Sequence, residues 1–238
     1  MSEKLLLRHL WVLFCVCLVA CGASADALLE QGKTLMKAGK FREALEYLNQ
    51  AVEKNDQNAE YFNARGVAYF ELKEFDNALL DYEQAIKIDG EFYRPYYNRA
   101  LLRTAQNDND NALKDYSEAL RRNPENAEIL VNRGQLLAAT GQNSAASNDF
   151  EAATKIDPKN ALAWFNQGNI LFKEEKLPQA IAYFQKAVAQ DPKFGKAYYA
   201  LGIAQLAEQK QDVGCLNLKQ AQKLGYADAQ VAIEQYCK

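Results

Sequence analysis

The residues of this chain with a claim to chemistry are five cysteines, one histidine and three arginine–aspartate pairs at a fixed interval. The histidine, His9, lies in the first twenty-five residues, a segment unlike everything after it. Once that segment is set aside, no imidazole remains to activate a serine or cysteine nucleophile or to ligate zinc. Carboxylate or lysine chemistry would remain, but no stretch gathers such groups around a pocket. Arg65, Arg99 and Arg133 each stand sixteen residues before an aspartate: Asp81, Asp115 and Asp149. A guanidinium fork fits a carboxylate, so these read as ion pairs linking two elements. The competing reading, a ladder of cations for an acidic ligand, is opposed by the aspartates that accompany them. Asp108-Asn109-Asp110-Asn111 starts like a calcium loop but lacks the required glycine and distal glutamate, and reads as a polar turn. The expectation is of no catalytic residue, no metal site and no cofactor.

Cys15, Cys17 and Cys21 belong to the leader. Lys4 and Arg8 give it a positive start, and Leu10 to Ala20 is an apolar run of eleven residues. A membrane-spanning helix needs roughly 20 apolar residues, so the run suits a signal-peptide core. It ends in Leu18-Val19-Ala20-Cys21-Gly22, which resembles the bacterial lipobox. The resemblance implies a signal peptide over 1–20, lipidation at Cys21, a tether over 21–24 and a membrane-anchored protein facing the periplasm. Gly22, in place of an acidic residue, points to the outer rather than the inner membrane. Two other readings stand. Ala23-Ser24-Ala25 is itself an A-x-A site, and cleavage after Ala25 would release a soluble periplasmic or secreted protein. Alternatively, Cys21 is one more small apolar residue of the leader.

With Glu3, Lys4 and Arg8 removed, 26 of the 28 basic and 30 of the 31 acidic residues remain, a net charge of −4. Binding to a phosphate backbone is dominated by lysine and arginine, so nucleic acid is excluded as a partner. The partner expected is a protein or peptide, with the membrane engaged through the lipid anchor.

The rest of the chain is periodic. Laid out in blocks of 34 it reads 25–58, 59–92, 93–126, 127–160, 161–194 and 195–228, without a gap. The eighth position is Gly32, Gly66, Ala100, Gly134, Gly168 and Gly202. The twentieth is Ala44, Ala78, Ala112, Ala146, Ala180 and Gly214, and the twenty-fourth is large throughout, from Leu48 and Tyr82 to Phe184 and Leu218. Positions 4, 8 and 11 share one helical face, as do 20, 24 and 27. Small residues at 8 and 20 let two antiparallel helices approach, and the large ones fill the space beside them. Pro124, Pro158 and Pro192 fall between blocks, while Pro95 and Pro178 fall in first helical turns, where a missing N–H does no harm. The pattern resembles the tetratricopeptide repeat (TPR) family, most fully in the fifth block, with Trp164, Gly168, Leu171, Ala180, Phe184, Ala187 and Pro192. The resemblance implies an all-α, right-handed superhelical solenoid of six helical hairpins. A capping helix over 229–238 is expected to close it, with Val231, Ala232, Ile233 and Tyr236 on the last bare face.

In that family, positions 5, 9 and 12 line a concave groove that holds a partner's peptide or helix. Here the stripe includes Phe70, Tyr97, Leu101, Phe165, Asn169, Phe172 and Tyr199, most of them apolar or aromatic. The alternative is that these side chains pack against the next hairpin. The family's carboxylate-binding subclass, with lysine at position 5, is not matched by any block. Cys215 and Cys237 are the cysteines beyond the leader, either disulfide-bonded in an oxidising compartment or two small buried residues. The expected function is a lipid-tethered scaffold that assists assembly of an envelope complex. A homo-oligomer with its groove filled by another copy is the alternative, and an enzyme is disfavoured.

Overall fold

The first helix of each repeat begins at Ala25, Ala59, Tyr93, Ala127, Ala161 or Gly195, one block length apart. In this computed structural model the described residues are 23–237, and the segment expected to be a signal peptide (1–20) and the expected lipidation site Cys21 lie outside them. Among those residues there are thirteen α-helices and no strand. They are α1 (Ala25–Lys37), α2 (Phe41–Lys54), α3 (Ala59–Glu71), α4 (Phe75–Ile88), α5 (Tyr93–Ala105), α6 (Asn109–Arg122), α7 (Ala127–Ala139), α8 (Asn143–Ile156), α9 (Ala161–Lys173), α10 (Leu177–Gln190), α11 (Gly195–Ala207), α12 (Gln211–Lys223) and α13 (Asp228–Tyr236). None of the described helices is long and apolar enough to cross a membrane.

Side chains at the last position of a block start the next helix. Ser24, Asn58, Asn126 and Asn160 each accept a backbone N–H from the first turn of α1, α3, α7 and α9. Every first helix ends with position 15 in the left-handed region: Gly39, Lys73, Asn107, Gly141, Glu175 and Gln209, at φ between 59° and 82°. The next N–H then reaches back five residues, as from Lys40 to Leu35 and from Lys176 to Leu171, at 2.9 Å. This is the Schellman closure, which turns the chain back onto its own hairpin. Only two of the six positions are glycine, which is why composition does not announce the turn.

The chain divides into two compact units, Met1–Leu102 and Arg103–Lys238. In the first, Leu28, Leu48, Val52, Tyr61 and Phe62 form one core and Ala78, Tyr82 and Leu102 another. In the second, Leu137, Ala146, Phe150 and Ile170 cluster, as do Leu171, Ile181, Phe184 and Leu201. Fully burying one such side chain contributes roughly 1.5–3 kcal/mol. The small residue at position 8 is sterically required. A Cβ on Gly168 would lie 2.6 Å from the Phe184 ring, and one on Gly66 would lie 2.7 Å from Tyr82.

The hairpin frame needs one addition, and the expected cap face one correction. The first helices are buried on more than the 4/8/11 face. Tyr61, Ile129, Ala163 and Ala197 at position 3 and Ala68, Leu102, Leu136, Ile170 and Ala204 at position 10 are buried as well. The cause is contact between successive first helices, α1 with α3, α7 with α9 and α9 with α11. In α13, Ala229 and Ala232 pack inward, whereas Val231 and Tyr236 are 65% and 45% exposed. Close approach to the preceding hairpin selects the small residues, and Val231 falls off their face.

Candidate functional site

The arginine–aspartate spacing produces forked ion pairs. Arg65 donates to Asp81 from Nε at 2.9 Å and from Nη2 at 2.7 Å, and its Nη1 reaches Asn49 at 3.1 Å. Arg133 repeats this on Asp149 at 2.8 and 2.7 Å, with Nη1 on Ser117 at 3.2 Å. Each arginine thus ties its own hairpin together and holds the hairpin before it. In the first pair, burial works to lower the Arg65 guanidinium, but the hydrogen bond and charge of Asp81 raise it on balance. Asp115 receives Nη1 of Arg103 at 2.7 Å, a partner the spacing does not name. Arg99 lies over the Tyr96 ring and 3.9 Å from Glu83. With Arg65 and Arg133 committed to aspartates, a ladder of free guanidiniums for an acidic ligand finds no support there.

The 5/9/12 stripe is covered unevenly, even at a single position. At position 5, Leu29, Asn63, Val131 and Phe165 are buried, the last 4% exposed. Asn63 is satisfied there by Asn98 at 2.8 Å. Tyr97 and Tyr199, also at position 5, are half-buried, as are Leu101 and Asn169 at position 9 and Phe70 and Phe172 at position 12. Phe70 packs against the core of the first unit, its ring 5.8 Å from Phe75.

In the second unit, Phe165, Asn169, Phe172 and Tyr199 converge. With Phe184, Lys196, Ala200, Ile203 and Tyr226 they line one cavity of about 220 Å³. Phe165 forms its floor, set against Phe184 at 5.9 Å and Phe194 at 5.0 Å. Tyr226 packs against Tyr199 with the rings tilted and their centres 5.0 Å apart, and walls one side. Burial raises the Tyr226 phenol, with the Asp228 carboxylate adding to it. A second concavity shares Asn169 and Phe172 and adds Gln135, Asn166 and Lys173. The amide nitrogen of Asn166 is buried there without a hydrogen-bond partner.

Sequence reading missed Lys196 and Tyr226. Lys196, at position 2, lies off the stripe. Tyr226 follows Gly225, which at φ 82° closes α12, and its N–H returns to Ala221 at 3.0 Å. A glycine followed by a large apolar residue just past a helix end is the signal that would have found it. Cys215 and Cys237 are joined by a disulfide, with Cα atoms 5.6 Å apart, which fastens α13 to α12. Among the described residues no group of histidine, cysteine, aspartate and glutamate is arranged to hold a metal.

Comparisons with known proteins agree with this architecture. One tetratricopeptide repeat family model matches residues 29–91, 133–193 and 173–213, and a TPR repeat model matches 100–141. Human serine/threonine-protein phosphatase 5 is 34% identical over 76 residues, which are 32% of this chain and 15% of the relative. The rhomboid protease GluP of Bacillus subtilis is 32% identical over 82 residues, 34% of this chain and 16% of the relative. The chain thus spans a small part of these relatives, and the phosphatase match lies in its repeat part alone. Among solved structures, pilF of Pseudomonas aeruginosa is similar with a TM-score of 0.78 at 18% identity, covering 87% of this chain and 97% of that one. YrrB, a TPR protein with an unusual peptide-binding site, has a TM-score of 0.65 at 22% identity and covers 79% and 97%. At these identities the likeness shows the fold.

Proposed function

The chain belongs to the tetratricopeptide repeat family, and on that premise we propose that it is a membrane-anchored, non-enzymatic scaffold receiving a peptide or helix of an envelope protein. The observation that carries this is the cavity formed by Phe172, Tyr199 and Ile203 over a floor of Phe165. Solenoid repeats bind partners on surfaces built from successive first helices, and a half-exposed apolar patch marks such a surface. The peptide-binding site of YrrB supports the same use of this fold. Anchoring at Cys21, facing the periplasm and with the outer membrane as the favoured location, rests on the leader.

Ser24 Oγ accepts the Ala27 N–H at 3.2 Å, so removing residues through Ala25 would leave α1 without its cap. Losing such a cap costs about 1 kcal/mol.

The test is photo-crosslinking from Ile203 in a membrane fraction, with and without Phe172→Ala and Tyr199→Ala together. Loss of the crosslinked partner with unchanged circular dichroism and melting supports the reading. Retained capture by the double variant refutes it. Phe165→Ala is unsuitable for this purpose, because its burial makes it part of the core. Labelling with an alkyne fatty acid should disappear in Cys21→Ser, and persistent labelling would remove the anchor from the proposal.

A further inference from the structure

We propose that α13, fastened by the Cys215–Cys237 disulfide, holds the Tyr226 wall of the cavity, so that the cavity and the capture of a partner in it depend on the oxidised state of that pair. The wall is a property of this chain alone, whereas the dependence of capture rests on the groove reading above.

Tyr226 is held in two separate ways. Its backbone belongs to α12, because its N–H returns to Ala221 at 3.0 Å after the left-handed turn at Gly225. The same connector lies close over the start of α11. A Cβ on Gly195 would stand 3.2 Å from Leu224 Cβ and 3.4 Å from Tyr226 Cβ. The side chain has a different support. Its ring packs against Tyr199 and lines the cavity, and its hydroxyl is hydrogen-bonded to the Asp228 carboxylate. Asp228 is the first residue of α13. A tyrosine on a fixed backbone still has more than one staggered rotamer. The direction of this ring is therefore set by Tyr199 on one side and by α13 on the other.

The helix has little of its own to hold it. Its buried residues, Ala229 and Ala232, remove little apolar surface from water. Gln222 donates to Gln230, and Gln211 donates to the Tyr236 carbonyl, both at exposed positions where water competes. The disulfide is the covalent tie. Both cysteines are half-buried and line a surface concavity with Gln211, Asp212, Leu216 and Lys219, so a small dithiol can reach the sulfurs. The dithiol would supply two electrons and two protons, leaving thiols on Cys215 and Cys237 and closing into its own disulfide. Helix α13 is then free to leave, and the brace at Asp228 goes with it.

The test is methyl NMR of the mature chain labelled at isoleucine, before and after dithiothreitol. Ile203 lines the cavity, Ile233 lies in α13, and Ile129 is buried in α7 as the control. Reduction should move the Ile233 and Ile203 signals and leave Ile129 in place. With the disulfide intact, Asp228→Ala should move Ile203 alone, and Asp228→Asn, which keeps a carbonyl acceptor, should restore it. An Ile203 signal that stays fixed on reduction, or in Asp228→Ala, overturns the proposal. Capture by photo-crosslinking from Ile203 should fall in the Cys215→Ser, Cys237→Ser double variant, and undiminished capture there overturns it too. If the oxidised parent captures nothing, the groove reading fails instead, and the methyl signals still decide whether α13 holds the wall.

Discussion

Arg133 lays the Nε–Nη2 edge of its guanidinium on the two carboxylate oxygens of Asp149, sixteen residues on, and extends its remaining nitrogen to Ser117 in the preceding hairpin. One side chain thus fastens two helices of one repeat and registers that repeat on its neighbour. Asp149 is buried and Arg133 is mostly so, with side-chain exposures of 7% and 24%. Asp149→Ala should destabilise by about 1–3 kcal/mol, because a partly buried guanidinium loses its partner. Adding Arg133→Ala should then cost little further. Denaturant melts of the two single variants and the double variant measure this, and fully additive losses would contradict the coupling.

Glu175 occupies the left-handed turn position at φ 59°, where Gly141 serves the fourth hairpin at φ 82°. An L-residue there is strained by about 1–2 kcal/mol, and glycine gives back about 0.5–1 through its unfolded-state freedom. Glu175→Gly should therefore stabilise by up to about 1 kcal/mol. Gly141→Ala should destabilise, although nothing lies within 4 Å of the added methyl group. A lower melting temperature for Glu175→Gly would show that its side chain, and not the backbone, governs the turn.

The disulfide between Cys215 and Cys237 spans 22 residues and holds a helix that buries little. With Ala229 and Ala232 as its buried residues, α13 has no large anchor, and a helix of nine residues is marginal alone. Closing a loop of this length contributes about 3 kcal/mol in the chain-entropy description. Reduction should raise amide exchange throughout α13 and leave α7 to α10 protected. Peptide mapping of unreduced protein should yield the linked pair. Undiminished protection of α13 after reduction would mean that packing alone holds it.

Tyr61 donates its hydroxyl to Asp26 Oδ1 at 2.6 Å. That bond, followed by burial and the carboxylate's charge, pushes its phenol up to about 12. An unfolded tyrosine titrates near 10, so the native state binds this proton more tightly. The stabilisation is fully present below about pH 10 and is lost as pH rises through about 12. Melting temperature between those limits should fall more steeply for the parent than for Tyr61→Phe. Parallel slopes would remove the bond from the account.

The blocks of 34 residues, the small position 8 and the large position 24 were all legible in the sequence, because hairpin packing repeats and each copy must solve the same steric problem. So was the spacing behind Arg65–Asp81 and Arg133–Asp149, since both residues of each pair belong to one repeat. The left-handed turn at position 15 was not legible, because Lys73, Asn107, Glu175 and Gln209 hold it against their own preference, constrained by the helices on either side. Nor was the division of the 5/9/12 stripe. Helical periodicity gives the direction in which Phe165 and Phe172 point, but which of them is covered depends on where the neighbouring first helix comes to rest. Lys196 and Tyr226 join the cavity from outside the stripe, one at a helix start and one just past a helix end. The repeat itself is determined by local contacts between residues about half a block apart. The cavity is decided by stacking between blocks, which brings together side chains that no single period relates.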